Sequence, residues 1–178
     1  MRASSRGSGR RSLWLLPLAL AACSPAQDWR QLQPEDSGVA MQFPCKPVSH
    51  AREVTLDGAP LRLTLHACTA GDDATYALAV ADVSDPARVG PALQALLDST
   101  AGNVGAATRR PLPLAVRGAT PNPLAQRVAM DGTRSDGEPV QMQVAVFTKG
   151  TRVMQATVLG RRIDADAADT FFGALATP

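Results

Sequence analysis

The chain has 178 residues, eighteen basic against sixteen acidic side chains for a net charge of +2, and only seven aromatic residues. That length makes one ordinary domain with enough chain for a buried core. The near-neutral balance gives no support to nucleic-acid binding, and the few aromatics argue against a sugar platform of stacked rings.

The chain opens with Arg2, Arg6, Arg10 and Arg11 and no acidic residue, followed over residues 13–22 by Leu-Trp-Leu-Leu-Pro-Leu-Ala-Leu-Ala-Ala. A basic stretch, a short apolar run and small residues at its end predict a signal peptide over residues 1–22. Ten residues at a rise of about 1.5 Å reach only half way across a hydrocarbon core of roughly 30 Å, so a retained membrane span is not expected. The ending Leu20-Ala21-Ala22-Cys23 resembles the lipobox of bacterial lipoproteins. The resemblance implies that Cys23 becomes the first residue and carries diacylglycerol and a palmitate-type acyl chain. Chains worth about 0.8 kcal/mol per buried CH₂ would hold the protein on a membrane. Ser24 stands where an aspartate would favour inner-membrane retention, which implies an outer-membrane anchor facing the periplasm. Arg10-Arg11 leaves both general and twin-arginine export open. Loss of the first 22 residues removes four arginines and leaves fourteen basic against sixteen acidic groups. The basic character of the whole chain therefore belongs to its leader.

With Cys23 lipidated, Cys45 and Cys68 remain as an even pair, and an oxidising periplasm would join them. Residues 23–38 are polar, contain Pro25 and Pro34 and read as a tether, with Trp29 and Leu32 docking on the domain. Residues 39–178 then form the single globular domain. Val39 to Cys45 alternates and predicts a first strand, ended by Pro44 and Pro47. Glu53–Leu56 and Leu61–Ala67 flank Asp57-Gly58-Ala59-Pro60 and predict a hairpin. Thr75–Val83 alternates Tyr76, Leu78 and Val80 with alanines, whose small face predicts a closely packed helix. Pro86–Thr100 changes to helical spacing after the capping residues Ser84-Asp85. Residues 102–123 form a long irregular excursion with a short strand at Leu112–Val116. Leu124–Met130, Val140–Thr148 and Thr151–Leu159 predict an antiparallel meander, and Ile163–Leu175 a closing helix with Asp164 as N-cap and a stripe of Ala165, Ala168, Phe171, Phe172 and Leu175.

This order predicts an α+β fold, an α/β/α sandwich with a central antiparallel sheet of six or seven strands and two main helices. Phe43-Pro44, Tyr76, the Lys149-Gly150-Thr151-Arg152-Val153 hairpin and Phe171-Phe172 together resemble the PsbP-like fold over residues 38–176. That resemblance informs the fold and leaves the activity open.

Cys45, His50, His66 and Cys68 are the one set of thiolates and imidazoles that could bind zinc, at spacings unlike those of a finger; the favoured alternative is a disulfide beside two incidental histidines. Ser49-His50 lacks the Gly-x-Ser-x-Gly elbow of a hydrolase. Asp164, Asp166 and Asp169 suit the first turns of a helix, where the dipole favours carboxylates. The hairpin loop Asp131–Glu138 lacks the closing glutamate of a calcium loop. Arg109-Arg110 and Arg161-Arg162 are candidate binding residues for an anionic head group or an acidic partner. No catalytic residue, metal or cofactor is assigned. The expected function is a membrane-anchored binding or assembly module of the bacterial envelope, without enzymatic activity, contacting the membrane through its lipid and in addition an envelope protein. The alternatives are an envelope enzyme with an unrecognised site and a Cys/His metal-binding lipoprotein. A concave groove beside the 102–123 excursion would favour binding, and a buried carboxylate pair would favour catalysis.

Overall fold

The computed structural model describes residues 27–71 and 73–178, so the expected signal peptide, Cys23 and Ser24 lie outside the described residues. Among the described residues no helix is long and apolar enough to cross a membrane.

A short ribbon pairs β1 (Arg30–Leu32) with β2 (Met41–Phe43). The main sheet is built from β3 (Val48–Leu56), β4 (Ala59–Ala70), β5 (Ala74–Asp82), β6 (Arg110–Leu112), β7 (Gln126–Thr133), β8 (Pro139–Lys149) and β9 (Arg152–Gly160). Its seven strands lie in the order β3-β4-β5-β9-β8-β7-β6, and every neighbouring pair is antiparallel. Helix α1 (Val89–Asn103) connects β5 to β6, and α2 (Ala165–Gly173) follows β9. The fold is α+β around a central antiparallel sheet with two helices, as the hydrophobic periods predict.

Local sequence accounts for most of these elements. Asp57 (φ 50°) and Gly58 (φ 73°) both take left-handed conformations, the geometry of a two-residue hairpin turn that matches strand twist. Strand β4 therefore resumes at Ala59, earlier than the four-residue turn predicts. Pro60 is tolerated there because β4 pairs with β5 only from Leu63 onward. Asp85 accepts a hydrogen bond from the Ala87 amide at 2.9 Å and opens a 3₁₀ turn, Pro86–Arg88, that leads into α1. Asp164 caps α2 through the Ala167 amide, also at 2.9 Å.

Each face of the sheet carries one core. Helix α1 buries Leu93, Leu96 and Leu97 against Leu61, Ala81, Met130, Val144, Val146 and Val153. Helix α2 buries Ala168, Phe171, Phe172 and Leu175 against Tyr76, Leu78, Phe147, Met154 and Val158, with Met41 and Phe43 of β2 closing the layer. Ala167 is buried and Ala165 is exposed, so the apolar stripe of α2 runs through 167 where the periodicity put 165. The aromatic residues gather on this side. Phe171 meets Tyr76 at 5.3 Å and Phe43 at 5.5 Å, ring edge to ring face.

Two expectations require correction. The stretch read as a tether joins the domain over its described part: residues 30–32 are a strand and Ser37 is buried, while Trp29 docks as expected, edge-on to Tyr76 at 6.2 Å. The predicted first strand, observed as β2, pairs with that segment and stands outside the main sheet. Cys45, just beyond β2, is bonded to Cys68 of β4, with Cα atoms 6.0 Å apart, so the disulfide ties the ribbon to the main sheet.

Candidate functional site

The excursion after α1 is irregular in its dihedrals yet pinned along its length. Arg110–Leu112 forms the short edge strand β6, two residues earlier than the predicted strand. Leu114 and Val116 pack on the α2 core. The Thr120 amide donates to the Thr148 carbonyl at 2.8 Å. The C-terminal residues complete the clamp, because Ala176 exchanges backbone hydrogen bonds with Ala40 and the Thr177 amide donates to Arg117. Gly118 (φ 76°) allows this approach, since a Cβ built there would lie 2.0 Å from the Thr177 carbonyl oxygen.

Between this pinned segment and α2 lies a groove of about 470 Å³, within the range of roughly 300–1,000 Å³ typical of ligand sites. Leu112, Pro113, Leu114 and Ala115 form one wall, Ala165, Asp169, Phe172 and Gly173 the other, and Arg127 and Gln143 the floor. It adjoins the 102–123 excursion, where a binding role would place it.

Arg127 is the unusual residue. It belongs to β7 on the α2 face, is only 7% exposed, and holds its guanidinium 4.1 Å from the centre of the Phe172 ring. Its Nη2 donates to Gln143 Oε1 at 2.6 Å and to Asp169 Oδ1 at 2.8 Å. Its Nε is buried without a hydrogen-bond partner. Asp169, by contrast, has a side chain 71% exposed. The aspartate expected to complement the helix dipole is in fact the anion facing a buried cation. Arginine inside an alternating apolar strand was not read as a site residue. Its one sequence signal is a charge on a strand flanked by apolar neighbours at 125, 128 and 130.

The four candidate arginines do not converge. Arg109 donates to Asp98 of α1 at 2.6 Å, and this bond together with one from Gln94 holds the Asp98 carboxyl below its usual range. Arg110 lines a second depression with Gln141 and Asp131 that shares Gln143 with the groove. Arg161 lies near Asp73, Arg134 and Glu138, and Arg162 near Tyr76 and Asp164.

The Cys/His set resolves differently from a metal centre. Both thiols are consumed by the disulfide, His50 is exposed, and among the described residues no cluster of three His, Cys, Asp or Glu side chains could hold an ion. Ser49 forms a hydrogen bond with His66 across the β3–β4 pair, Oγ to Nδ1 at 2.6 Å. His66 is 2% exposed and its Nε2 has no partner, so no carboxylate orients the ring as a hydrolytic triad requires.

No family model matches the chain, and no curated protein and no solved structure matches it either.

Proposed function

We propose that this chain is a bacterial envelope lipoprotein, anchored through Cys23 to the outer membrane and facing the periplasm, whose PsbP-like domain is a binding module with the groove between residues 112–115 and α2 as its ligand site. The observation that carries the binding reading is the groove itself: an apolar cleft on a rigid sheet, with one buried cation in its floor. Ligand sites combine those two features, an apolar lining and a few fixed polar groups. The Cys45–Cys68 bond supports an oxidising compartment, in keeping with export. A body that begins by residue 29 leaves only the five residues 24–28 between the lipidated Cys23 and the first packed side chain, so the domain would ride close to the bilayer surface.

The test of the anchor is an intact mass of the protein purified from its own membrane, with thiols alkylated and no reductant. The expected mass starts at Cys23, carries acyl chains and shows no alkylated cysteine. A soluble species without acyl chains would overturn the lipoprotein reading. The test of the module is Gly173→Trp, which adds a bulky ring to a residue of the groove wall at a position where a Cβ meets nothing within 4 Å. It should abolish small-molecule capture with the fold retained; capture equal to that of the unmodified chain would remove the groove as the ligand site.

A further inference from the structure

We infer that the groove selects a small apolar carboxylate, and that Asp169 occupies the place of the ligand's carboxylate when the groove is empty. The inference rests on the groove being the ligand site and adds the ligand's chemistry and the means of its admission.

Arg127 cannot leave. Its guanidinium is packed on Phe172 and more than nine-tenths buried, and Gln143 holds its Nη2 from the neighbouring strand. Such a cation requires an anion close by, because a desolvated charge is stable only when paired. Asp169 supplies one from the rim through a single bond, while most of its side chain remains in water. The two partners are therefore unequal. Rotation of Asp169 into solvent costs its carboxylate little, since exposed ion pairs contribute little, but leaves Arg127 unpaired. A ligand carboxylate entering the groove would restore the pair in a drier setting and could meet the planar guanidinium with two oxygens. Leu112, Leu114 and Phe172 would cover the ligand's apolar body. Charge balance selects the head group: one buried cation, now satisfied by a carboxylate, matches a monoanion and not a phosphate dianion.

The sign of the Asp169 effect distinguishes this from a structural ion pair. If Asp169 competes with the ligand, removing its charge tightens carboxylate binding; if it positions Arg127, removing its charge weakens it. The full chain in nanodiscs of neutral phospholipid would be photolabelled with octanoate bearing a diazirine and with the corresponding octanol, and labelling read on the peptides containing residues 112–115 and 165–173. The carboxylate should reach half-maximal labelling at a concentration about tenfold below that of the alcohol. Asp169→Asn should widen that ratio by about fivefold further, and Arg127→Gln should erase it. Equal labelling by the two probes, or a narrower ratio in Asp169→Asn, would overturn the carboxylate inference while leaving the groove as a site. Absence of groove labelling with either probe would overturn both.

Discussion

At the scale of single residues, Arg127 and His66 share one feature: each is a polar side chain closed into the α2 side of the sheet with one nitrogen unsatisfied. For Arg127 the proposed binding role is therefore set against stability. Its cation–π contact and two hydrogen bonds offset a desolvation cost and an orphaned Nε, and an unmade buried hydrogen bond costs about 1–3 kcal/mol. Arg127→Met keeps the length and the contact with Phe172 and removes the buried charge, so it should leave stability within about 1 kcal/mol of the parent or raise it. Urea unfolding would measure this; a loss above about 3 kcal/mol would show that the ion pair holds the fold together. His66 gives a pH dependence. Burial holds its imidazole below the ordinary value of 6.5, so the unfolded chain takes up a proton before the folded chain does. The resulting stability is complete above 6.5 and is lost as the pH falls toward the depressed folded value. The melting temperature should therefore fall on acidification from pH 7 to pH 5, and His66→Gln should flatten that slope.

At the scale of elements, the disulfide and the C-terminal clamp each fix a segment that the main sheet does not hold by itself. Cys45 and Cys68, separated by 23 positions, close a loop whose cross-link is worth about 3 kcal/mol in the chain-entropy account, so Cys68→Ser should cost that much, measured as a shift in the denaturant midpoint under oxidising conditions. Gly118→Ala combines a left-handed conformation with a collision against the Thr177 carbonyl and should cost about 2–3 kcal/mol. The same measurement tests it, and an unchanged midpoint would mean that the 113–120 wall moves at little cost. These elements also show what a sequence reveals. Strands β4, β5 and β7 to β9 were legible because alternation and turn residues are local signals, whereas β3 was read only over Glu53–Leu56 and its first half, Val48–Arg52, was missed because its mostly exposed residues carry no apolar period. The identity of each strand's partner was not, which is why β2 read as part of the main sheet and residues 30–32 as tether and not as a strand, although the docking of Trp29 and Leu32 on the domain is as expected. The paired arginines misled for a geometric reason. Neighbours at a strand start project to opposite faces, so Arg109 reaches Asp98 of α1 while Arg110 faces the α2 side. Arg127 was overlooked because nothing local to β7 states that α2 will lie over it.

At the scale of the molecule, two cores share the same strands, and this decides whether the groove can unfold apart from the rest. Strand β8 gives Val144 and Val146 to the α1 core and Ala145 and Phe147 to the α2 core, and β5 and β9 divide their side chains in the same way. A strand cannot lose its hydrogen-bonded neighbours on behalf of one face only, so the two layers should melt together. Trp29 offers a reporter for this, since it packs on Tyr76 in the α2 layer and is the one tryptophan among the described residues. Leu93 is fully buried in the opposite, α1 layer. Leu93→Ala should destabilise the protein by about 2–5 kcal/mol. Because the layers are coupled, Trp29 fluorescence should shift by the same amount as far-ultraviolet circular dichroism, although the truncated side chain lies across the sheet from the reporter. A fluorescence midpoint left unchanged while the dichroism midpoint moves would mean that the α2 layer, with its ribbon, disulfide and groove, folds as a unit of its own. A ligand in the proposed site would then stabilise only that unit, whereas in the coupled molecule its binding would raise the stability of every strand.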